Sequence, residues 1–254
     1  MKDFADFIKN TKIEEGSLGV FFLGQAGFVF KTAEGKTVAI DPYLSDCCNR
    51  FFGFKRLMAS ILDADEVKFD YVISTHAHYD HFDPDSIPTL LEGGKTKFIG
   101  ACDTKAEIEK LGLTGDFTYL KVYDEATLGG SDKLVAVPCD HGADTPDAIG
   151  LILTVSGKKI YVMGDTAYRP DLFLAPEISD IDLLILPING AFGNLDELEA
   201  AKTVAMISPK LAVPSHFWNF AEHFGSPHRF MENMKSLAPD KAYTLMRQGE
   251  LIKI

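Results

Sequence analysis

The chain is poor in cysteine, short of basic charge and without any long apolar run. Its four cysteines, Cys47, Cys48, Cys102 and Cys139, form no C-x-x-C. That spacing excludes a zinc ribbon and a redox dithiol. Cys47 and Cys48 are adjacent, and with no such motif a reduced cytoplasm is the simplest expected setting. Lysine and arginine number 25 against 37 aspartates and glutamates, a formal charge of −12. This balance repels phosphate backbones and anionic bilayers, so neither nucleic acid nor membrane is an expected partner. No apolar stretch approaches membrane-spanning length. Residues 1–9 carry acidic side chains and lack a long apolar core. They predict a short amphipathic helix with Phe4, Phe7 and Ile8 on one face, not a signal peptide.

What remains is an ordinary globular composition, 254 residues with 46% hydrophobic content. That length suits one α/β domain spanning 1–254, and no linker, repeat or low-complexity tract divides it. Short apolar runs at 19–23, 28–31 and 37–41, separated by Gly24-Gln25-Ala26-Gly27 and Glu34-Gly35, predict antiparallel strands. Residues 42–65 lack periodicity and are expected to form a long loop over a site. Alternation then begins: strand 70–75, helix 84–92 capped by Asp83 or Asp85, strand 97–101 and helix 104–111, ended by Gly112. Strands are expected at 117–122, 133–138, 149–155 and 159–163, the last two joined by Ser156-Gly157. Strand 182–187, helix 195–207, strand 210–215, helix 226–236 and strand 250–254 complete the pattern. Pattern alone supports an α/β fold with two blocks of strands.

The densest chemistry lies in His76-Ala77-His78-Tyr79-Asp80-His81, directly after the apolar run Tyr71-Val72-Ile73-Ser74-Thr75. Imidazole and carboxylate are preferred ligands of zinc, manganese and iron, and a loop leaving a buried strand can aim several of them at one point. Three further candidates each follow an apolar run: His141, Asp165 and His216. Ligands at strand ends gather along one sheet edge. The expected arrangement places His76, His78 and His141 on one cation, and Asp80, His81 and His216 on a second. Asp165 bridges the two. A cysteine-free set with open positions reads as catalytic, not structural.

These motifs resemble the metallo-β-lactamase-fold superfamily, and within it the L-ascorbate-6-phosphate lactonase-like branch. The resemblance is carried by Leu23-Gly24-Gln25-Ala26-Gly27-Phe28, Ile40-Asp41-Pro42-Tyr43-Leu44-Ser45-Asp46 and residues 75–83. Gly164-Asp165-Thr166, Pro187-Ile188-Asn189-Gly190 and Pro214-Ser215-His216-Phe217 extend it over nearly the whole chain. It implies a four-layer αββα sandwich, two mixed sheets flanked by helices. It also implies two divalent cations, manganese or zinc, and a carbonyl-ester or lactone substrate. Diiron oxidoreductases of the superfamily usually carry glutamate where this chain has His78, so redox chemistry is not expected.

The expected reaction is attack of a metal-bridging hydroxide on a small ester or lactone, possibly a phosphorylated sugar lactone, with Asp80 orienting the nucleophile and carrying a proton. A phosphodiesterase is the alternative, and a metal-holding binding protein without turnover is a third reading. Asp41, Thr75 and Asp140, at strand ends beside the ligands, are expected to hold imidazole N–H groups. Substrate contacts are expected from Arg56, Tyr168, Arg169, Asn189, Trp218 and Asn219. Arg50, Lys55, Phe51, Phe52 and Phe54 sit in the 42–65 segment beside Arg56, and the basic groups anticipate an anionic small molecule. His223 and His228 read as surface or supporting residues, and Cys139 as an apolar filler. The sequence does not decide between a monomer and a homo-oligomer.

Overall fold

A computed structural model describes residues 2–254; Met1 of the expected first helix lies outside the described residues. In the first sheet, β1 (Gly19–Gly24), β2 (Gly27–Lys31) and β3 (Thr37–Ile40) form an antiparallel meander. β4 (Tyr71–Ser74), β5 (Lys97–Ala101) and β6 (Phe117–Leu120) then run parallel to β3. Their crossovers carry α3 (Ile87–Leu91) and α4 (Thr104–Lys110). β13 (Leu251–Lys253) returns antiparallel to β1, and the order is β13-β1-β2-β3-β4-β5-β6.

In the second sheet, β7 (Glu125–Thr127), β8 (Lys133–Pro138), β9 (Ile149–Val155) and β10 (Lys158–Val162) are antiparallel. β11 (Leu183–Pro187) and β12 (Leu211–Ser215) follow β10 in parallel, giving the order β12-β11-β10-β9-β8-β7. These are two mixed sheets flanked by helices, the four-layer architecture expected.

Strand alternation builds the layers. Phe22, Phe28 and Phe30 face the second sheet, where Leu151, Leu153, Tyr161 and Leu184 join them in one core. Phe22 stacks on Phe28 with ring centroids 4.8 Å apart. Their neighbours Phe21, Leu23 and Val29 point the other way, into a second core with Ile87, Leu90 and Ile108. α1 (Lys2–Asn10) closes that face: Ile8 is buried, and Phe7 meets the Phe21 ring edge-on at 5.6 Å. Both faces of the central strands are thus covered, which explains their nearly unbroken apolar runs. On the opposite side, Ala200 and Val204 of α5 (Glu197–Ile207) and Phe230 and Met234 of α6 (Pro227–Leu237) extend the first core. No helix among the described residues is long and apolar enough to cross a membrane.

Strand direction is what positions the site. β1, β3 and β4 point the same way, as do β8, β10, β11 and β12, so their C-terminal ends line one edge. Two backbone bonds stitch the sheets together there. His216 N–H donates to Gln25 O at 2.8 Å, and Ile149 N–H donates to Thr75 O at 3.1 Å.

Several expected boundaries move. The 42–65 segment is not all loop, because α2 (Cys47–Phe52) forms within it and ends at Gly53, in the left-handed region at φ 77°. Six residues are too few for a periodic signal. The expected helix 84–92 is regular only from Ile87; residues 84–86 form a turn that Ile87 N–H closes on Asp83 O, over the buried Asp83 carboxylate. That carboxylate accepts from Asp85 N–H and Ser86 Oγ, and also from Leu44 N–H, Ser45 N–H and Ser45 Oγ, anchoring the 42–65 segment. The expected strand 117–122 stops at Leu120, and β7, three residues on the sheet margin, went unread because so short a strand shows no alternation.

Candidate metal centre

Four strand ends supply the seven expected ligands, and the structure brings all seven together. β4 runs into His76, His78, Asp80 and His81; β8 leads to His141, β10 to Asp165 and β12 to His216. Several backbones turn sharply there: Gln25, Asp41 and His216 have φ of 54°, 47° and 59°. Non-glycine residues in that region cost about 1–3 kcal/mol each, and such strain collects at functional sites. Each follows the last residue of β1, β3 or β12, so the turn folds its side chain over the sheet edge.

One cluster is all imidazole. His76 Nε2 and His141 Nε2 each lie 3.1 Å from His78 Nδ1. His76 Nδ1 lies 3.1 Å from Thr75 Oγ1, which itself donates to Asp41 Oδ2 at 2.8 Å. The hydroxyl hydrogen being spent on Asp41, His76 Nδ1–H is the donor to Thr75, and Nε2 keeps its lone pair for the cluster.

The second cluster mixes imidazole with carboxylate. His81 Nε2 and His216 Nε2 are 3.2 Å apart, and each lies 3.3 Å from a different oxygen of Asp165. Asp80 Oδ2 stands 3.3 Å from His216 Nε2 and 3.6 Å from His81 Nε2. His81 Nδ1–H donates to Asp41 Oδ2 at 2.8 Å, so one carboxylate orients His81 directly and supports His76 through Thr75. Asp165 also reaches the first cluster, 3.7 Å from His141 Nε2.

These residues fit a cation. With metal–nitrogen bonds of about 2.0–2.1 Å, a tetrahedral site has ligand–ligand edges of about 3.3–3.4 Å, close to the separations here. Asp165 Oδ1 and His141 Nδ1 are buried without a hydrogen-bond partner. Asp165 Oδ1 faces His81 Nε2, whose other ring nitrogen is committed to Asp41, so a lone pair confronts a carboxylate. Only a proton or a cation between them satisfies both. The groups His76–His78–His141, His76–His81–Asp165 and Asp80–His216–His223 are each compact enough to hold an ion.

The protein's own charges treat the two clusters differently. Burial pushes His76 well below its ordinary pKa, with His81 adding to the effect, and burial also lowers His141. Burial works against the charge on His81 and His216 too, but Asp165 and Asp80 outweigh it. His81 is held well above its usual value and His216 is raised to about 9. Burial alone would raise Asp80 and Asp165; their histidine partners hold both well below the carboxylate range.

Other expected residues fall elsewhere. Asp140 touches no ligand: it accepts from Arg169 Nη1 at 2.6 Å, leaving His141 Nδ1 unpartnered. Arg169 divides its guanidinium between Asp140 and Asp171. Arg56 stacks on Tyr43 and donates to the carbonyls of Tyr43, Ser45 and Met58, so it pins the 42–65 segment instead of lining a cavity. Arg50 forks onto Asp85. Tyr168 packs near Phe173 with Lys202 over its ring. Asn189 is buried and donates to Ala191 O, and Asn219 is buried behind Leu57. Trp218 lies in a separate surface depression with Leu57 and Phe224. His228 is exposed beside Glu232, whereas Cys139 is partly buried.

Two contributors, Gln25 and Asn194, escaped the sequence reading, and His223 takes the supporting one of its two expected places. Gln25 Nε2 lies 2.8 Å from Asp80 Oδ2, 3.2 Å from His216 Nε2 and 3.0 Å from His223 Nδ1. His223 is buried, not at the surface, and stacks on His216 at 4.9 Å; burial and the neighbouring His216 lower it to about 4. Asn194 donates to Asp165 Oδ2 at 2.7 Å. Gln25 lay within a quoted motif, so its type and place after β1 were a usable signal. Asn194, in an irregular segment, offered none.

The clusters floor a cavity of about 350 Å³, walled by Phe52, Phe54, Tyr79, Phe192 and Phe220 with His223. Residues 19–216 match the beta-lactamase superfamily domain. A UPF0173 metal-dependent hydrolase of Aeropyrum pernix is 29% identical over 243 residues, covering 90% of this chain and 94% of its own. One from Thermococcus onnurineus is also 29% identical, over 92% and 99% of the two chains. Among solved structures, a metallo hydrolase of Ignicoccus hospitalis superposes with a TM-score of 0.76 at 22% identity, covering 94% of this chain and 98% of the other. With a cluster of imidazoles and carboxylates at the ends of two facing sheets and a domain match over most of its length, the chain belongs to the metallo-β-lactamase superfamily.

Proposed function

We propose that this protein is a metal-dependent hydrolase that cleaves a small carbonyl ester or lactone with water, using two divalent cations, manganese or zinc. The observation that carries the reading is the convergence of seven imidazole and carboxylate side chains at one cavity floor. His76, His78 and His141 would hold one cation and Asp80, His81 and His216 the other, with Asp165 serving both. When bound, such cations polarise a carbonyl and acidify a water toward neutral pH.

The chain's own groups do the rest. Gln25 holds Asp80 through Oδ2, leaving Oδ1 to accept a proton from the attacking water and pass it to the leaving oxygen. The water oxygen forms the new bond to the acyl carbon, the acyl bond to the leaving oxygen breaks, and the second water proton departs to solvent with the acid product. Asp41 and Thr75 keep His81 and His76 in one tautomer throughout. The lactone form of the reading rests on the lactonase-like motifs. A phosphorylated sugar lactone would also need a cationic side chain in the wall, and among the described residues no lysine or arginine lines it. Free thiols fit a reducing compartment, and the cytoplasm is the setting we propose.

The test is elemental analysis combined with turnover of the metal-restored protein on simple lactones, aryl esters and bis-nitrophenyl phosphate. Ester or lactone turnover that is lost on chelation and restored by manganese or zinc is the expected result. Phosphodiester turnover alone would move the reading to a phosphodiesterase. A His78→Ala variant that keeps both metals and full activity would sink the two-cation scheme.

A further inference from the structure

The cavity above the floor is built from rings. Phe54 sits at its centre, with centroids 5.8 Å from Phe192, 6.0 Å from Phe220 and 5.8 Å from His223. Phe52 continues the wall, 6.2 Å from Phe54 and 5.7 Å from Tyr79. At the mouth, Phe52 and Phe192 are 56% and 59% exposed, which leaves large apolar surfaces without a protein partner. Contiguous apolar surface beside a polar floor is the mark of a ligand groove.

Of the basic groups expected to greet an anion, the arginines are engaged elsewhere, and Lys55 is exposed outside the cavity lining. Arg56 is consumed by three backbone carbonyls, Arg50 by Asp85, and Arg169 by Asp140 and Asp171. Among the described residues, no lysine or arginine lines the cavity. An anion on the arm of a substrate, held at the walls away from the floor, would therefore lose its hydration against phenyl rings and meet no cationic side chain, in a protein of formal charge −12. The floor can accept one polar, electrophilic end, and the walls, His223 apart, present rings to the rest of the substrate.

We propose that this cavity selects a neutral ester or lactone bearing an aryl or alkyl arm, and rejects substrates with a distal carboxylate or phosphate. A pocket of about 150 Å³ is enough for benzene. The volume here, about 350 Å³, accommodates one ring with a short linker and the reacting carbonyl. The proposal rests on the hydrolase reading above, which it narrows to uncharged substrates, and it reverses the expectation of an anionic one.

The test compares matched esters on the metal-reloaded protein: 4-nitrophenyl acetate, its hexanoate, and the hemiadipate, which matches the hexanoate in length but ends in a carboxylate. The hexanoate should exceed the hemiadipate in kcat/KM by about a hundredfold or more, as an unpaired buried charge requires. It should exceed the acetate by about threefold per methylene until the cavity is full. Phe54→Ala and, at the exposed mouth, Phe192→Ala should each flatten that rise. Equal rates for hexanoate and hemiadipate, or an unchanged rise in both variants, overturn the proposal. If no ester is turned over by protein that holds its metals, the hydrolase reading fails. The charge preference is then read from binding alone, by saturation-transfer NMR on the zinc-loaded protein. 4-Phenylbutanamide should bind at least tenfold tighter than its ring-sulfonated form, and equal or tighter binding of the sulfonate overturns the proposal.

Discussion

The two halves of the centre lie side by side yet differ in charge and in support. In the imidazole half, burial lowers His76 and His141, so those rings stand neutral with lone pairs ready. In the carboxylate half, Asp80 and Asp165 stay ionised and raise His81 and His216. Protons there do the work a cation would do. Support differs as well. Asp41, Gln25 and Asn194 hold His81, Asp80 and Asp165, while His141 Nδ1 is unpartnered and His78 is exposed. The contrast teaches that one cavity floor can be ready for a cation in one half while the other half must first give up protons.

The strongest way to break the comparison is to remove the residue both halves share. Asp165→Asn is expected to lower the metal content of both halves and to cut turnover by about a thousandfold, the several kcal/mol that metal assistance supplies. Loss from one half only, by elemental analysis, would show that Asp165 does not bridge.

Asp41→Ala separates direct from relayed support. Removing such an outer partner typically costs about 10–100-fold in metal affinity. The larger loss should fall on the carboxylate half, where Asp41 touches His81 itself, and competition titration with a chromogenic chelator measures both halves.

Proton release distinguishes the halves next. His216 is protonated below about 9 in the absence of a cation. Cation affinity of its half should therefore rise by about tenfold per pH unit for each proton displaced, with the His216 proton ceasing to contribute above about 9. The imidazole half, where burial already keeps His76 and His141 neutral, should vary little above neutrality. The sign for folding is opposite. A raised histidine stabilises the metal-free protein fully below its ordinary value of 6.5, and this contribution is lost as pH rises through about 9. Calorimetric titration in two buffers of different ionisation enthalpy counts the protons, and thermal melts of the chelated protein check the second sign.

The smallest effect is expected from Arg169→Ala. Its ion pairs with Asp140 and Asp171 are solvent-exposed and screened by water, so they contribute little. Turnover should stay within about twofold, and a large loss would place Arg169 in contact with substrate after all.

Most of the candidate ligand positions were legible in the chain because metal chemistry needs particular residue types, and buried strands place them by their ends. His76 through His81 are local, and the apolar run before them announces the strand. His141, Asp165 and His216 each follow a run as plain. The supporting residues were harder to read. Asp41 was legible from its place after β3, but Asp140 in the same kind of position turns out to serve Arg169. Nothing local separates the two, since which side chain meets an imidazole depends on how the sheets face. The basic residues misled for a related reason. A guanidinium in an irregular segment looks available in sequence, whereas Arg56 is the clamp that holds that segment together.

By itself, then, the sequence determined the strands, the chemical character of the floor and the pairing of imidazole with carboxylate, because these depend on residue type and on a period of two. Only the tertiary structure decided that Gln25 and His223 reach the site, that the arginines are spent, and that the walls above the floor are phenyl rings. Those outcomes depend on contacts between residues up to 198 positions apart, as between Gln25 and His223. Such contacts form when two sheets close on a shared core, and no local pattern records them.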